Sequence, residues 1–199
     1  MKQSLLILFT VLFLSSGCAF KSKTIDEYKL HLNVDTKPSN AQSCSSKRLK
    51  VAEAFSSNSL RTLQMNYVEN SFHQYAYTQS QWAQEPNKAI TDEVVKYLKS
   101  RKIFKSVQKF FSRSKADYLL EIDIEDFMQY FNENATKSYV HVVIDFSLID
   151  LKTRELISTK TFDVTLDAKP NAQGGVEALN KGLEKVLKES GKWLEEVCK

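Results

Sequence analysis

Apolar residues recur along the chain with two periods, and each period predicts a different kind of element. A period of two residues indicates strands, because alternate side chains of a strand point to opposite faces. On this basis we expect strands over residues 28–34, 48–55, 64–68, 72–78, 120–125, 140–148 and 162–166. The third and fourth flank a turn and should form a hairpin. The last three should form an antiparallel meander with one buried face.

A period near 3.6 predicts two helices. The first opens at Pro86, which suits a helix start because the missing N–H of proline would be unpaired there anyway. The second follows a loop that contains Pro170, Gly174 and Gly175, and its apolar stripe continues to Val197. Such a stripe should cover the inner face of the sheet. The pattern therefore predicts an α+β fold: a single domain with a mainly antiparallel sheet covered on one face by two helices.

The N-terminal segment follows a third pattern, typical of a bacterial lipoprotein signal peptide. Lys2 precedes an apolar run over residues 5–14. This run is too short for a membrane span of about 20 residues but has the length of a signal-peptide core. Small residues 15–17 then precede Cys18, whose thiol would take a diacylglyceryl group. Lipoprotein signals usually carry Leu three residues before the cysteine, and Ser15 stands there in this chain.

This interpretation divides the chain into a signal peptide over residues 1–17, a lipidated tether over 18–24 and a domain over 25–199. Two or three acyl chains such as palmitate would anchor the protein stably, whereas one chain binds weakly. Ala19 occupies the place where an inner-membrane retention signal usually has Asp, which favours the outer membrane and a domain that faces the periplasm. The alternative is ordinary secretion with Cys18 as a plain thiol. Under both interpretations the domain works outside the cytoplasm, and the lipid-anchored interpretation places it in the cell envelope.

Two further cysteines predict a disulfide. With Cys18 acylated, Cys44 and Cys198 remain as an even pair in a compartment that permits disulfides. Their bond would close a loop of about 150 residues. Two free thiols are the alternative. No Cys or His lies at metal-ligand spacing from either residue, so we expect no metal site.

Charge and candidate chemistry argue against nucleic-acid binding and catalysis. The net charge of +4 is spread along the chain, without a basic block interleaved with aromatic residues. Glu121, Asp123 and Glu125 share one face of a strand, which alternation alone produces. The three histidines lie far apart in the sequence, and no glycine-rich phosphate loop is present. We expect no catalytic residue and no cofactor, although a periplasmic hydrolase with an unrecognised site stays open.

Two clusters of aromatic residues are candidates for partner binding. They comprise Phe127, Tyr130 and Phe131 at the end of one predicted strand, and Tyr75, Tyr77 and Trp82 before the first predicted helix. Such residues more often complete a core than contact a partner. Core packing and partner binding both stay open for these residues.

Several segments, taken in order, resemble a known family. They are the lipoprotein leader, Tyr28-Lys29-Leu30, the stretch over residues 75–86 with its Trp and Pro, Ala116-Asp117-Tyr118-Leu119-Leu120, and Leu148-Ile149-Asp150. Together they resemble the ABC-type transport auxiliary lipoprotein family. The chain departs from that pattern in the pair of Cys44 and Cys198 and in a long polar loop before Arg48.

The resemblance implies a non-enzymatic protein that is attached to the membrane through its lipidated N-terminus. It would dock the periplasm-spanning substrate-binding protein of an ABC transporter that moves lipid between membranes. The family offers no catalytic residues to assign. A structural or assembly lipoprotein of an outer-membrane machine is the alternative, with an outer-membrane barrel as its partner.

Replacement of Cys18 by Ala tests the anchoring hypothesis. We expect the Cys18→Ala protein to fold and stay soluble but to be inactive in cells, because the atom that carries the acyl chains is gone. Membrane fractionation and complementation of a deletion strain measure the two effects. Restored envelope integrity in the Cys18→Ala strain would contradict anchoring.

Overall fold

Nine strands and two helices make up the part of the chain that the computed structural model describes, residues 24–33, 38, 44–70 and 72–198. They are β1 (Asp26–Tyr28), β2 (Arg48–Val51), β3 (Phe55–Ser56), β4 (Gln64–Glu69), β5 (His73–Trp82), α1 (Pro86–Arg101), β6 (Ser106–Lys109), β7 (Tyr118–Phe131), β8 (Ser138–Asp150), β9 (Leu156–Ala168) and α2 (Ala172–Val197). A 3-10 turn over Asn58–Leu60 lies between β3 and β4. The predicted signal peptide, Cys18 and the tether up to residue 23 lie outside the described residues.

Strand β7 lies at the centre of the sheet. One of its edges pairs antiparallel with β8 along the whole strand, from Tyr118 opposite Asp150 to Phe131 opposite Ser138. β8 pairs antiparallel with β9 in turn. The predicted meander is therefore confirmed, and its strands are longer than the apolar pattern alone indicated.

Three short strands share the second edge of β7, and all run parallel to it. β2 pairs with the beginning of β7, β3 with its middle and β4 with its end. β6 extends the sheet beside β2, whereas β5 and then β1 extend it beside β4. The sheet thus has two wings, the β2–β6 wing and the β4–β5 wing, with β3 between them. The sequence pattern did not predict these parallel pairings.

Alternation along the long strands decides which face of the sheet is buried. Leu120, Ile122 and Ile124 of β7 point into the core, and alternate residues of β8 from Val140 to Leu148 continue the same layer. Both helices cover this face, as predicted for an α+β domain. Trp193 of α2 packs edge to face against Phe162 of β9, with ring centres 6.4 Å apart. Among the described residues, no helix has the length and apolar character needed to cross a bilayer.

The first predicted strand, residues 28–34, is only partly a strand. Burial of Leu30 and Leu32 follows the predicted alternation, yet β1 ends before them. The backbone instead contacts helix α2, because the His31 N–H donates to Asn180 Oδ1 at 2.8 Å. The segment just after β1 is thus bound to α2, and residue 34 lies outside the described residues.

The second predicted strand, residues 48–55, is interrupted between β2 and β3. The Ala52 N–H still donates to the Leu120 carbonyl of β7 at 2.9 Å. Two residues later, the Ala54 N–H donates to the Thr91 hydroxyl of α1 at 3.0 Å. The strand breaks because the helix supplies this acceptor.

An ion pair joins the start of β2 to the start of β7. The Asp117 carboxylate accepts hydrogen bonds from Nε, Nη2 and the backbone N–H of Arg48, at 2.9, 2.8 and 2.8 Å. The side-chain bonds, followed by the backbone bond, hold the pKa of Asp117 well below its usual value. Asp117 belongs to the segment on which the family resemblance rests. In this structure it aligns two strands.

A disulfide connects the end of α2 to the segment before β2. Cys44 and Cys198 are bonded in the structure, with Cα atoms 5.5 Å apart and a sequence separation of 154 residues. Cys44 is buried in the core. The bond therefore fastens the C-terminal helix to the β2–β6 wing.

Loss of this disulfide should destabilise the domain. For Cys44→Ser/Cys198→Ser we expect the free energy of unfolding to fall by up to ~4 to 5 kcal/mol, because the unfolded chain gains the entropy of a long open loop. Urea denaturation of the oxidised protein, the reduced protein and the double variant gives the values. Alkylation without reductant should leave both cysteines unmodified in the wild type. Equal stability of oxidised and reduced protein would show that the bond does not form.

The Arg48–Asp117 pair should make stability depend on acid pH. The folded state lowers the pKa of Asp117 from 3.8, so its contribution is complete above that value and is lost as pH falls through the lower, folded pKa. Asp117→Asn should therefore destabilise the protein near pH 7, with a difference from wild type that shrinks in strong acid. Urea denaturation at several pH values measures this, with the exposed Asp167→Asn of β9 as the control. A difference that does not change with pH would contradict the assigned role.

Candidate functional site

A cleft of about 750 Å³ lies at the gap between the two wings of the sheet. Its walls come from the β2–β3 connection, the start of α1, the residues that follow β6 and the outer face of β7. Within the described residues, β3 pairs only with β7, so its second edge faces this gap. The volume lies in the range of ligand and partner sites, roughly 300 to 1,000 Å³.

Three phenylalanines give the cleft its apolar surface. Phe55 is 62% exposed, Phe110 50% and Phe111 78%. The Phe110 N–H donates to the Val51 carbonyl at 2.8 Å, which extends the β2–β6 pairing by one residue and holds the aromatic pair at the wing's end. The two rings meet edge to face, with centres 6.1 Å apart. Adjacent exposed aromatic side chains of this kind indicate an interaction surface.

Polar groups surround the apolar part of the cleft. Asn87 of α1 lines it and is almost fully buried, and its Nδ2 lies 3.5 Å from Glu53 Oε1. Asn87 Oδ1 is buried and has no hydrogen-bond partner among the described residues. A buried acceptor left unpaired costs about 1 to 3 kcal/mol. Arg61, Glu121 and Asp123 add charges to the walls.

The sequence pattern did not predict this cleft. The adjacent residues Phe110 and Phe111 did indicate an exposed aromatic side chain. Two adjacent residues of an extended chain point to opposite faces and cannot both enter one core. Phe55 was assigned to a continuous strand. The interruption before β3, which leaves its side chain exposed, depends on a contact with α1.

Two of the predicted partner-binding residues, Phe127 and Trp82, belong to the core. They are 2% and 4% exposed, and their ring centres lie 6.4 Å apart. A β-bulge between Ile124 and Asp126 shifts the alternation of β7 by one residue, so that Phe127 points inward. Neither residue presents a surface to a partner in this structure, and both complete the packing.

Three of the other candidates meet around a residue that sequence analysis did not single out. The rings of Tyr75, Tyr77 and Phe131 lie 5.8, 4.6 and 5.3 Å from the ring of Tyr67 in β4. Tyr75 is exposed, and the other two are half-buried. The two predicted clusters are thus brought partly together at the end of the β4–β5 wing.

A buried glutamine connects this aromatic cluster to helix α2. The Tyr77 hydroxyl donates to Gln129 Oε1 at 3.0 Å, and Gln129 Nε2 donates to Ser138 Oγ at 2.8 Å and to the Lys169 carbonyl at 3.1 Å. Burial, the largest cause, raises the pKa of Tyr77, so its phenol remains a donor. A Cβ at position 175 would lie 2.0 Å from Gln129 Oε1. Glycine at position 175 therefore lets the helix approach the amide.

The outer face of the sheet carries a separate polar network around His141. Its Nδ1 lies 2.8 Å from Asp126 and its Nε2 lies 2.9 Å from Asp163. Partial burial lowers the pKa of His141, but the hydrogen bonds to both aspartates outweigh this effect and raise it. Tyr130 donates to Asp126 at 2.6 Å and stacks on Tyr139, with ring centres 5.2 Å apart. These contacts join β7, β8 and β9 across the sheet.

This network offers no recognisable reaction chemistry. The imidazole bridges two carboxylates, and neither of its ring nitrogens is hydrogen-bonded to a serine or cysteine among the described residues. In the described part of the chain, no group of three or more His, Cys, Asp or Glu side chains is placed to hold a metal ion. The cleft between the wings is therefore the strongest candidate for a functional site.

Comparison with known proteins decides the family. The sequence profile described as ABC-type transport auxiliary lipoprotein component matches residues 28–189. The chain belongs to the ABC-type transport auxiliary lipoprotein family. The resemblance found in the sequence is thereby confirmed. The family description identifies an auxiliary component of transport and a lipoprotein of the cell envelope, and it names no enzymatic activity.

Solved structures share the fold of this family member. Protein XCC0632 from Xanthomonas campestris, assigned to the family DUF330, aligns with a TM-score of 0.74 at 19% identity, over 86% of this chain and 95% of that chain. An uncharacterized protein aligns with a TM-score of 0.65 at 15% identity, over 85% and 97% of the two chains. At such identities, the likeness shows the fold alone. Among curated proteins, none matches the sequence.

Proposed function

We propose that this lipoprotein is the membrane-anchored contact component of an ABC-type system that moves lipid between membranes. It docks the periplasm-spanning substrate-binding protein at the outer membrane. The family match supplies the class of process. The observation that carries the docking role is the cleft between the wings, with its three exposed phenylalanines.

The cleft suits a protein partner. Aromatic side chains dominate the binding energy of many interfaces, particularly where a polar rim surrounds them. The unpaired second edge of β3 offers backbone groups to an extended segment, which could extend the sheet there. We therefore expect an extended strand of the partner that places one apolar side chain between Phe55 and Phe111.

The anchor and the cleft have separate roles in this mechanism. Acyl chains on Cys18 would restrict the domain to one membrane surface and thereby raise the effective concentration of the cleft there. Contact of this kind requires no chemical step. Lipid passes through the partner, and this protein holds the far end of the partner at the outer membrane.

Co-purification tests the docking role. The natively lipidated protein is purified from mildly crosslinked, detergent-solubilised membranes, and its partners are identified by mass spectrometry. We expect a periplasm-spanning substrate-binding protein and an ABC ATPase with the wild type. For the double variant Phe110→Ser/Phe111→Ser we expect the amount of recovered partner to fall at least about tenfold. Each truncation of an aromatic hot-spot residue costs roughly 1 kcal/mol or more of binding free energy.

A matched control separates loss of the cleft from loss of apolar surface in general. Leu156 and Ile157 form another adjacent exposed apolar pair, 58% and 41% exposed, in strand β9. Leu156→Ser/Ile157→Ser should recover the partners as the wild type does. Equal recovery from all three proteins would exclude the cleft as the docking site. Recovery of an outer-membrane barrel alone would support the assembly-lipoprotein hypothesis instead.

A further inference from the structure

Strand β1 fixes the side from which the N-terminal segment enters the domain. β1 runs parallel to β5, with Asp26 opposite Ser80 and Tyr28 opposite Trp82. β5 begins at His73, at the end of the β4–β5 hairpin, and runs away from it. Parallel strands begin at the same side, so the chain that precedes β1 comes from the side of the hairpin end.

The number of residues before β1 limits where a lipid anchor can lie. Cys18 precedes Asp26 by eight residues, and eight extended residues span at most about 28 Å. The seven residues from Ser80 back to His73 cover roughly 23 Å of strand. A fully extended tether that continued along this direction would bring Cys18 to the level of the hairpin end and at most a few ångströms beyond it. The hairpin end therefore lies within reach of a bilayer that holds the anchor.

The hairpin end has the chemistry of an interfacial contact. Phe72 is 90% exposed, and its N–H donates to the Asn70 carbonyl at 2.8 Å in a turn where Asn70 has φ 54°. The Phe72 side chain is thus exposed at the hairpin end. Behind it, His73 stacks on the exposed Tyr75, with ring centres 6.2 Å apart. An apolar tip followed by aromatic rings with polar ends is the arrangement found where proteins meet the membrane–water interface.

We propose that Asn70, Phe72 and His73 contact the lipid bilayer, with the Phe72 side chain inserted among the lipids beside the anchored Cys18. This inference rests on the anchoring part of the proposed function. The hairpin contact fixes the orientation of the domain relative to the bilayer. The β4–β5 hairpin end faces the membrane, and the β8–β9 turn with Leu156 lies at the opposite end of β7. The cleft between the wings then lies above the bilayer surface, accessible from the periplasm.

Tryptophan reporters test the contact. The protein's own Trp82 and Trp193 are buried, so a tryptophan placed at an exposed position reports its own surroundings. Phe72→Trp and Leu156→Trp are prepared as natively lipidated proteins and reconstituted into phosphatidylethanolamine–phosphatidylglycerol vesicles with brominated acyl chains. We expect the brominated chains to quench Phe72→Trp at least about twofold more than Leu156→Trp. Absent quenching at position 72, or equal quenching at both positions, would overturn the proposal.

A second form of the experiment separates this inference from the anchoring hypothesis. In the oxidised mature chain, Cys44 and Cys198 are paired, which leaves the Cys18 thiol for coupling to a maleimide lipid in the same vesicles. Quenching confined to position 72 in this chemically anchored protein supports the hairpin contact even if cells do not lipidate Cys18. A native protein whose mass shows no lipid on Cys18 contradicts the anchoring hypothesis alone. A chemically anchored protein without quenching at position 72 contradicts the hairpin contact alone.

Discussion

The structure depends on pairing both edges of one long strand. β7 has 14 residues, and buried backbone N–H and C=O groups need partners over that whole length. β8 pairs with one edge along the whole strand, with one bulge between Ile124 and Asp126. The other edge is shared by β2, β3 and β4, and the chain leaves the sheet between them. Where the chain leaves the sheet, the Ala52 N–H donates to the Leu120 carbonyl and the Ala54 N–H donates to the Thr91 hydroxyl of α1. The cleft between the wings is the space that this divided edge leaves open.

Two links hold the β2–β6 wing at this edge. The Arg48–Asp117 pair sets the register of β2 against β7, and the disulfide fastens the segment before β2 to the end of α2. At the other end of β7, Gln129 joins the β4–β5 wing to the start of α2. Each wing is thus attached both to the central strand and to the helix layer. The attachments of the β2–β6 wing hold the segment that carries Phe110 beside the cleft.

The sequence was most informative where structure is local. The meander and both helices follow from periodicity, because each buries one face, and the hairpin follows from the turn between two short strands. The parallel pairing of three short strands with β7 could not be predicted, since it joins residues far apart in the chain. The bulge after Ile124 reverses the alternation and moves Phe127 into the core. The spacing of apolar residues in the sequence does not reveal such a shift. The cleft could not be predicted for the same reason. Exposure of Phe55 depends on a long-range contact, the hydrogen bond from the Ala54 N–H to the Thr91 hydroxyl of α1.

Photocrosslinking in growing cells tests the central claim, contact through the cleft, most directly. A photoreactive amino acid is placed at position 111 on the cleft and at position 156 on the far end of the sheet. Position 111 should capture a periplasm-spanning protein of an ABC transport system, and position 156 should not. No protein adduct at position 111, or the same adduct at both positions, would contradict the account.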